Sequence, residues 1–399
     1  MREKLEKIYY TIIVGYGICD TLFGTCYILI LYQSGVTMTQ ISILMALVGI
    51  VGFIFDFPSG IVCDILGRKR IAGAGFALWA IGFITFAISK KYIIFLCIAI
   101  IMSIATAMIS GAPISWYVES LKKLDCDDKL IDISIQRGQT LVRIGNICAA
   151  LLGSILVKIG IRMTLVIAAI ISVCISFVSI FCGADNKGNY KGTFSHNVSK
   201  LIHDFFGTKQ LVEILLFMIL EIIPFQLFIM SWQVLLTDNM ALDATFVGIL
   251  LAIFMLSQFL GNTLSAKLIK HYKASTLVGV GIVFSFIGFI IMTSSIFCNI
   301  IIVFILGAII YEFGLSLEQV NGVCMIQAII DGNSRSTFTS AISAVLSFLC
   351  FFINIILGII LEKLNFELVY GMMILIYIIA FAFFYRKFLN SELVSNDIK

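Results

Sequence analysis

The sequence predicts an all-α membrane protein: twelve transmembrane helices in two six-helix bundles, related by a parallel pseudo-two-fold repeat. Three observations predict it. The 399 residues are 60% hydrophobic and 13% charged, with a mean hydropathy of +1.09, too little charge to cover a water-soluble domain of this size. Apolar runs of about twenty residues or more recur along the chain, each long enough to cross a hydrocarbon core of ~30 Å. The runs divide six and six around one long polar stretch, 185–210.

In order, the apolar runs place spans at 9–32, 41–66, 71–89, 92–120, 138–158 and 163–183, then at 211–236, 245–269, 275–297, 300–329, 337–361 and 368–388. The charged start, from Met1 to Lys7, runs straight into the first span without a small-residue cleavage pattern, so a cleavable signal is not expected. Residues 1–184 and 211–399 are the expected bundles, with 185–210, bearing Gly188, Gly192, Ser195 and Ser199, as the linker between them.

Orientation follows from cations. With the N-terminus inside, inner segments hold 21 of the 27 Lys and Arg residues, among them Arg68, Lys69, Arg70, Lys122, Lys123, Lys267, Lys270, Arg386 and Lys387. The outer loops hold Lys90, Lys91, Lys158, Arg162 and Lys363, and Arg143 falls inside a span, about one turn from its inner end. That asymmetry predicts a cell (cytoplasmic) membrane protein with both termini cytoplasmic.

The halves repeat. An offset of 201 carries the start of the first span close to that of the seventh, Gly60 onto Gly261, and Asp20 onto Glu221. Both glycines precede a basic turn: Gly67-Arg68-Lys69-Arg70 in one half, the segment from Lys267 to Lys273 in the other. A six-plus-six parallel repeat encloses a cavity between bundles, with substrate near the midplane.

The segment Gly60-Ile61-Val62-Cys63-Asp64-Ile65-Leu66-Gly67-Arg68-Lys69-Arg70 resembles the signature of the major facilitator superfamily, G-x-x-x-D-x-x-G-R-[KR]-[KR], at the end of the second span. The resemblance implies alternating-access transport, with Asp64 and Arg68 latching the halves when the inner side closes and Glu119 as partner of Arg68. Gly60 would allow close helix approach and Gly67 a tight turn, while Asp64 could face a neighbouring helix N-terminus. The second half has Ser265 where Asp64 would be, so the latch is expected on one side only. As a plain alternative, the basic turn is only a positive-inside anchor.

Shorter likenesses point to a bacterial drug-efflux branch: Asp56-Phe57-Pro58-Ser59-Gly60 resembles its acidic-x-P-[ST]-G element, and Ser110-Gly111-Ala112 with Tyr117-Val118-Glu119-Ser120-Leu121 resembles its fourth helix. In the fifth span, Gly145 and Gly153 keep two positions of the antiporter pattern G-x-x-x-G-P-x-x-G-G, but Ala150 stands where the proline belongs. Small residues at this spacing equally suit any tight membrane helix pair.

Ionisable groups at bilayer depth are costly, so each is a candidate site. Asp20 and Glu221 are repeat-related acids near mid-span; either they form a protonation and binding pair or each makes a local hydrogen bond. Glu312 and Glu318 share the tenth span but point about 120° apart, so one is expected to bind and the other to contact a neighbouring helix. Asp56 is either a cavity acid or a partner for backbone freed by Pro58. Gln226 and Trp232 are weaker binding candidates. Deep acids outnumbering one arginine favour protons and cationic or neutral amphipathic substrates.

The eleven cysteines have no CxxC spacing and no histidine in ligand pattern, so they read as small packing residues in a reducing setting. His196, His203 and His271 all fall in inner segments, no nucleophile stands beside a base, and no G-x-x-x-x-G-K loop occurs, which argues against an enzyme or a directly ATP-driven pump. No cofactor, metal or nucleic acid is expected. The partners are a small-molecule substrate, protons as coupling ion, and the lipid bilayer, with the chain a monomer. The leading expectation is proton-coupled export of drug-like, peptide-like or other small amphipathic compounds. An uptake symporter for a nutrient or metabolite, and a non-transporting receptor or scaffold, stand as alternatives.

Overall fold

The computed structural model describes residues 2–187, 209–329 and 335–389. Among these, twelve helical segments are long and apolar enough to cross a membrane, and no residue is in a strand. Span 1 is two helices, Arg2–Gly24 and Tyr27–Gln33; span 2 is Met38–Leu66; span 3 is Arg68–Ile88. Span 4 is again two, Tyr92–Ser110 and Ala112–Lys122; span 5 is Asp128–Ile159 and span 6 is Met163–Phe181. Spans 7 to 12 are Lys209–Val234, Val247–Leu268, Ala274–Cys298, Ile301–Ile329, Arg335–Lys363 and Phe366–Phe384.

Local chemistry sets the ends and breaks. Span 2 opens on a capping box, Thr37 accepting from the Gln40 backbone N–H while the Gln40 side chain accepts from that of Thr37. The Asn365 side chain caps span 12 by accepting from the Leu368 N–H. Span 4 breaks at Gly111, and Pro113, which lacks a donor, sits in the first turn of its second piece. Span 7 carries Pro224 in its interior, removing the bond that would reach the Leu220 carbonyl, and ends in a π-helical turn, Leu235–Asn239.

Two spans start seven or more residues earlier than expected. Span 1 is helical from Arg2 rather than 9, because Arg2 and Glu6 pair one turn apart (3.1 Å) and support the polar first turns. Span 5 begins at Asp128, not 138. Residues 128–137 are amphipathic, with Ile131 and Ser134 buried and Asp132 and Gln136 exposed, a pattern that a search for continuous apolar runs passes over. Arg143 therefore lies about 22 Å from the start of its helix, near the middle, and not one turn from the end.

The described residues form two compact units: 2–187 with Asp243–Ala252, and 209–242 with 253–329 and 335–389. In the first, spans 1 and 5 approach through the two expected small positions: Gly145 lies against Val14 and Gly153 against Thr25. In the second, spans 9 and 10 meet backbone to backbone. A Cβ on Gly288 would stand 2.5 Å from the Tyr311 amide nitrogen, and one on Gly307 would stand 2.8 Å from the Gly288 carbonyl oxygen. Such approach maximises dispersion contact where lipid supplies no hydrophobic drive between helices.

Candidate functional site

The turn between spans 2 and 3 is built around Arg68. Its Nε donates to Asp64 Oδ1 (2.9 Å) and its Nη1 to Glu119 Oε2 (2.6 Å) and to the Ser115 carbonyl oxygen (3.2 Å). One planar guanidinium thus bridges the ends of spans 2 and 4, which a single-point lysine charge would not do. Gly67 has φ +118°, and a Cβ there would collide with the Asp185 carboxylate. Asp64 pairs with the arginine four residues on, within its own unit. Asp56 and Gly60 fall within the helix of span 2, but what either packs against lies outside the described residues.

Sequence reasoning missed two residues at this turn. Asp185, read as the first linker residue, accepts from the backbone N–H groups of Lys69 (2.9 Å) and Arg70 (3.0 Å), capping span 3. Lys69, read as a loop cation, is 1% exposed and donates to the Ser179 and Cys182 carbonyl oxygens at the end of span 6 (2.6 and 2.7 Å). Asn186 adds a bond to the Trp116 carbonyl oxygen (2.8 Å). An acid two residues past an apolar run was the available signal for the cap.

Asp20 lines a cavity of about 400 Å³ inside the first unit. Its walls are aromatic and thioether: Phe23, Tyr27, Trp79, Phe83 and Phe86, with Met45 and Met102. The rings hold each other in place. Phe23 stacks on Tyr27 (4.9 Å between centroids) and meets Phe83 (5.6 Å) and Phe86 (5.4 Å), while Trp79 meets Phe83 (5.5 Å). Trp79 Nε1 donates to Thr106 Oγ1 (3.1 Å), so its polar edge is satisfied.

In the second unit Glu221 and Glu318 line one apolar cavity of about 160 Å³ with Phe217, Ile222, Leu315 and Phe384. They are the two carboxyls of that cavity. Glu312, on another face of span 10, instead accepts from Gln258 Nε2 (2.7 Å) and lines neither cavity, so the two glutamates of that span do face apart. Gln226 donates to Cys350 Sγ (3.4 Å). Trp232, 4% exposed, packs among Phe228 and Phe254 and lines neither cavity either. Where span 8 repeats the latch position, Ser265 takes a bond from Asn321 Nδ2 of span 10 (2.8 Å), a neutral pair in place of an ionic one.

Span 5 carries a polar stripe that the sequence reading left out: Asp132, Gln136, Gln139 and Arg143, all exposed, at intervals of four, three and four. The period is helical and was legible, but it straddles the misplaced start of the span.

The model of the family described as "Major Facilitator Superfamily" matches residues 10–230. No curated protein matches the chain at a significant level. Among solved structures, the chain is similar to the nucleoside transporter NupG, at 17% identity and a TM-score of 0.78 over 96% of this chain and 98% of that one. It is similar to a bacterial homologue of the human lysosomal transporter Spinster, at 15% identity and a TM-score of 0.75 over 98% of each. A D-xylose-proton symporter matches at 12% identity and a TM-score of 0.72, over 96% of this chain and 97% of that one.

Proposed function

The chain belongs to the major facilitator superfamily, a multi-pass membrane transporter and not an enzyme, and from that premise we propose a proton-coupled exporter of small amphipathic cations. The observation that carries the reading is Asp20, a carboxylate lining a cavity walled by six aromatic rings. An alkylammonium or other soft organic cation gains a counter-ion there and ring faces on several sides, each worth about 0.5–2 kcal/mol when desolvated. A neutral sugar would leave the carboxylate without a counter-charge.

Alternating access between two bundles, residues 1–184 and 211–399 around the linker 185–210, would expose this site to each side in turn. Arg68 with Asp64 and Glu119 serves as the inner latch, with Gly60 and Gly67 allowing the approach. The cation asymmetry supports cytoplasmic termini in the cell membrane, and the drug-efflux likeness around Pro58 and Glu119 supports the outward direction. No partner beyond substrate, protons and lipid is required, and the chain works as a monomer.

The test is proton flux in sealed vesicles of reconstituted protein, with tetraphenylphosphonium and a panel of amines as probes. Cation addition should drive protons in the opposite sense, and Asp20→Asn should abolish the effect while the protein stays monodisperse. Proton flow in the same sense as substrate would establish a symporter instead. Full activity of Asp20→Asn would remove the site.

A further inference from the structure

We propose that Glu221 and Glu318 form one binding unit for a single proton, held between their two carboxyls and distinct from the Asp20 cavity. Glu221 is 8% and Glu318 5% exposed. Both oxygens of Glu221 and Oε2 of Glu318 have no hydrogen-bond partner among the described residues. Ser285 of span 9, fully buried, donates its hydroxyl to Glu318 Oε1. The hydroxyls of Tyr311 and Tyr377 in the same unit, both fully buried, likewise have no hydrogen-bond partner among the described residues.

Charge decides the occupant. Among the described residues no lysine or arginine reaches either carboxyl; the ion pair of that unit, Lys387 with Glu213 (2.7 Å), is formed at the ends of spans 12 and 7. Glu312, the other acid of span 10, is occupied by Gln258. Two bare carboxylates lining one buried cavity would repel one another, on top of the desolvation each already suffers. One proton removes half the charge and gives an O–H···O⁻ bond joining two of the three orphaned oxygens, the arrangement expected of like carboxyls sharing a site. A hard metal ion would need about six or more oxygens, and beside the two carboxyls the wall adds only the side chain of Gln319 among groups such as Phe217, Ile222 and Leu315.

Spans 9 and 10 hold the pair in register. A Cβ on Gly281 would stand 2.8 Å from Glu318 Cγ, so the glycine makes the room that the carboxyl stem occupies. The proton-binding unit is thereby fixed by three spans at once: 7, 9 and 10.

This inference rests on the transport reading only for the use made of the proton, and its test needs no substrate. Infrared difference spectra of reconstituted protein, recorded on stepping the pH upward, report loss of the carboxylic C=O band. Parent protein should show one such transition. Glu221→Gln and Glu318→Gln should each move its midpoint to lower pH by a similar amount, because the remaining acid has lost a negative neighbour. The double variant should lose the transition. Ser285→Ala, which withdraws the donor to Glu318, should shift the midpoint upward, a sign that misfolding would not produce. The proposal is overturned if one glutamine variant abolishes the transition while the other leaves it unchanged, or if the double variant keeps it. It is equally overturned if sodium chloride, compared with choline chloride at fixed pH, displaces the band.

Discussion

Arg68 answers to three acceptors on two spans, and its geometry distinguishes a fork from a point charge. Arg68→Lys keeps the cation but cannot serve Asp64 and Glu119 together in a plane. We expect a several-fold loss of transport with near-normal insertion, and a stability cost on the order of 1 kcal/mol because all three groups are partly exposed. Vesicle transport read beside a thermal-shift curve checks both, and unchanged transport would reduce the turn to an anchor. Asp185→Ala removes a helix cap and should cost about 1 kcal/mol, with Asp185→Asn recovering most of it, since Asn caps as well. Equal melting of parent and alanine variant would deny the cap any weight. What the sequence made legible at this scale was the motif and its Arg68–Glu119 partnership. It hid Asp185 because a cap depends on where span 6 ends, and the cavity shared by Glu221 and Glu318 because spacing along one chain does not say which spans touch.

Helix starts and stops were read within a few residues wherever an apolar run stood between polar turns, as in spans 3 and 6. The misses share one cause. Residues 2–8 and 128–137 are helical but polar on one side, so hydropathy averages cancel while the helix period persists. Correcting span 5 moved Arg143 from a helix end to the middle of an exposed polar face, beside Gln136 and Gln139. The tight pair of spans 9 and 10 yields a prediction of its own. Gly288→Val would drive a branched side chain into the Tyr311 backbone, so the spans must part. Overpacking of this kind costs about 1–3 kcal/mol, and the reconstituted protein should melt several degrees lower. Gly24→Ala, where nothing stands within 4 Å, is the matched control and should leave melting nearly unchanged.

For the molecule as a whole, number of spans, membrane character and family followed from composition, run length and one eleven-residue motif; the family model and the fold neighbours bear these out. Orientation remains a proposal with a direct measurement. In a background of unreactive native cysteines, Lys90→Cys should react with an impermeant thiol reagent from outside, and Lys270→Cys only after permeabilisation. Reaction of Lys270→Cys in intact cells would invert the topology.

The backbone seam between spans 9 and 10 also has a mechanical meaning. Two rods touching main chain to main chain have no side-chain layer that could shear, so they tilt as one stiff beam. Span 7, with Pro224 three residues beyond Glu221 and a π-helical turn at its end, is the compliant member of the same unit. A carboxyl on the compliant rod facing a carboxyl on the beam makes their spacing a strain gauge. Any force that bends span 7 alters how tightly the pair grips its proton, and loss of the proton pushes back on the bend.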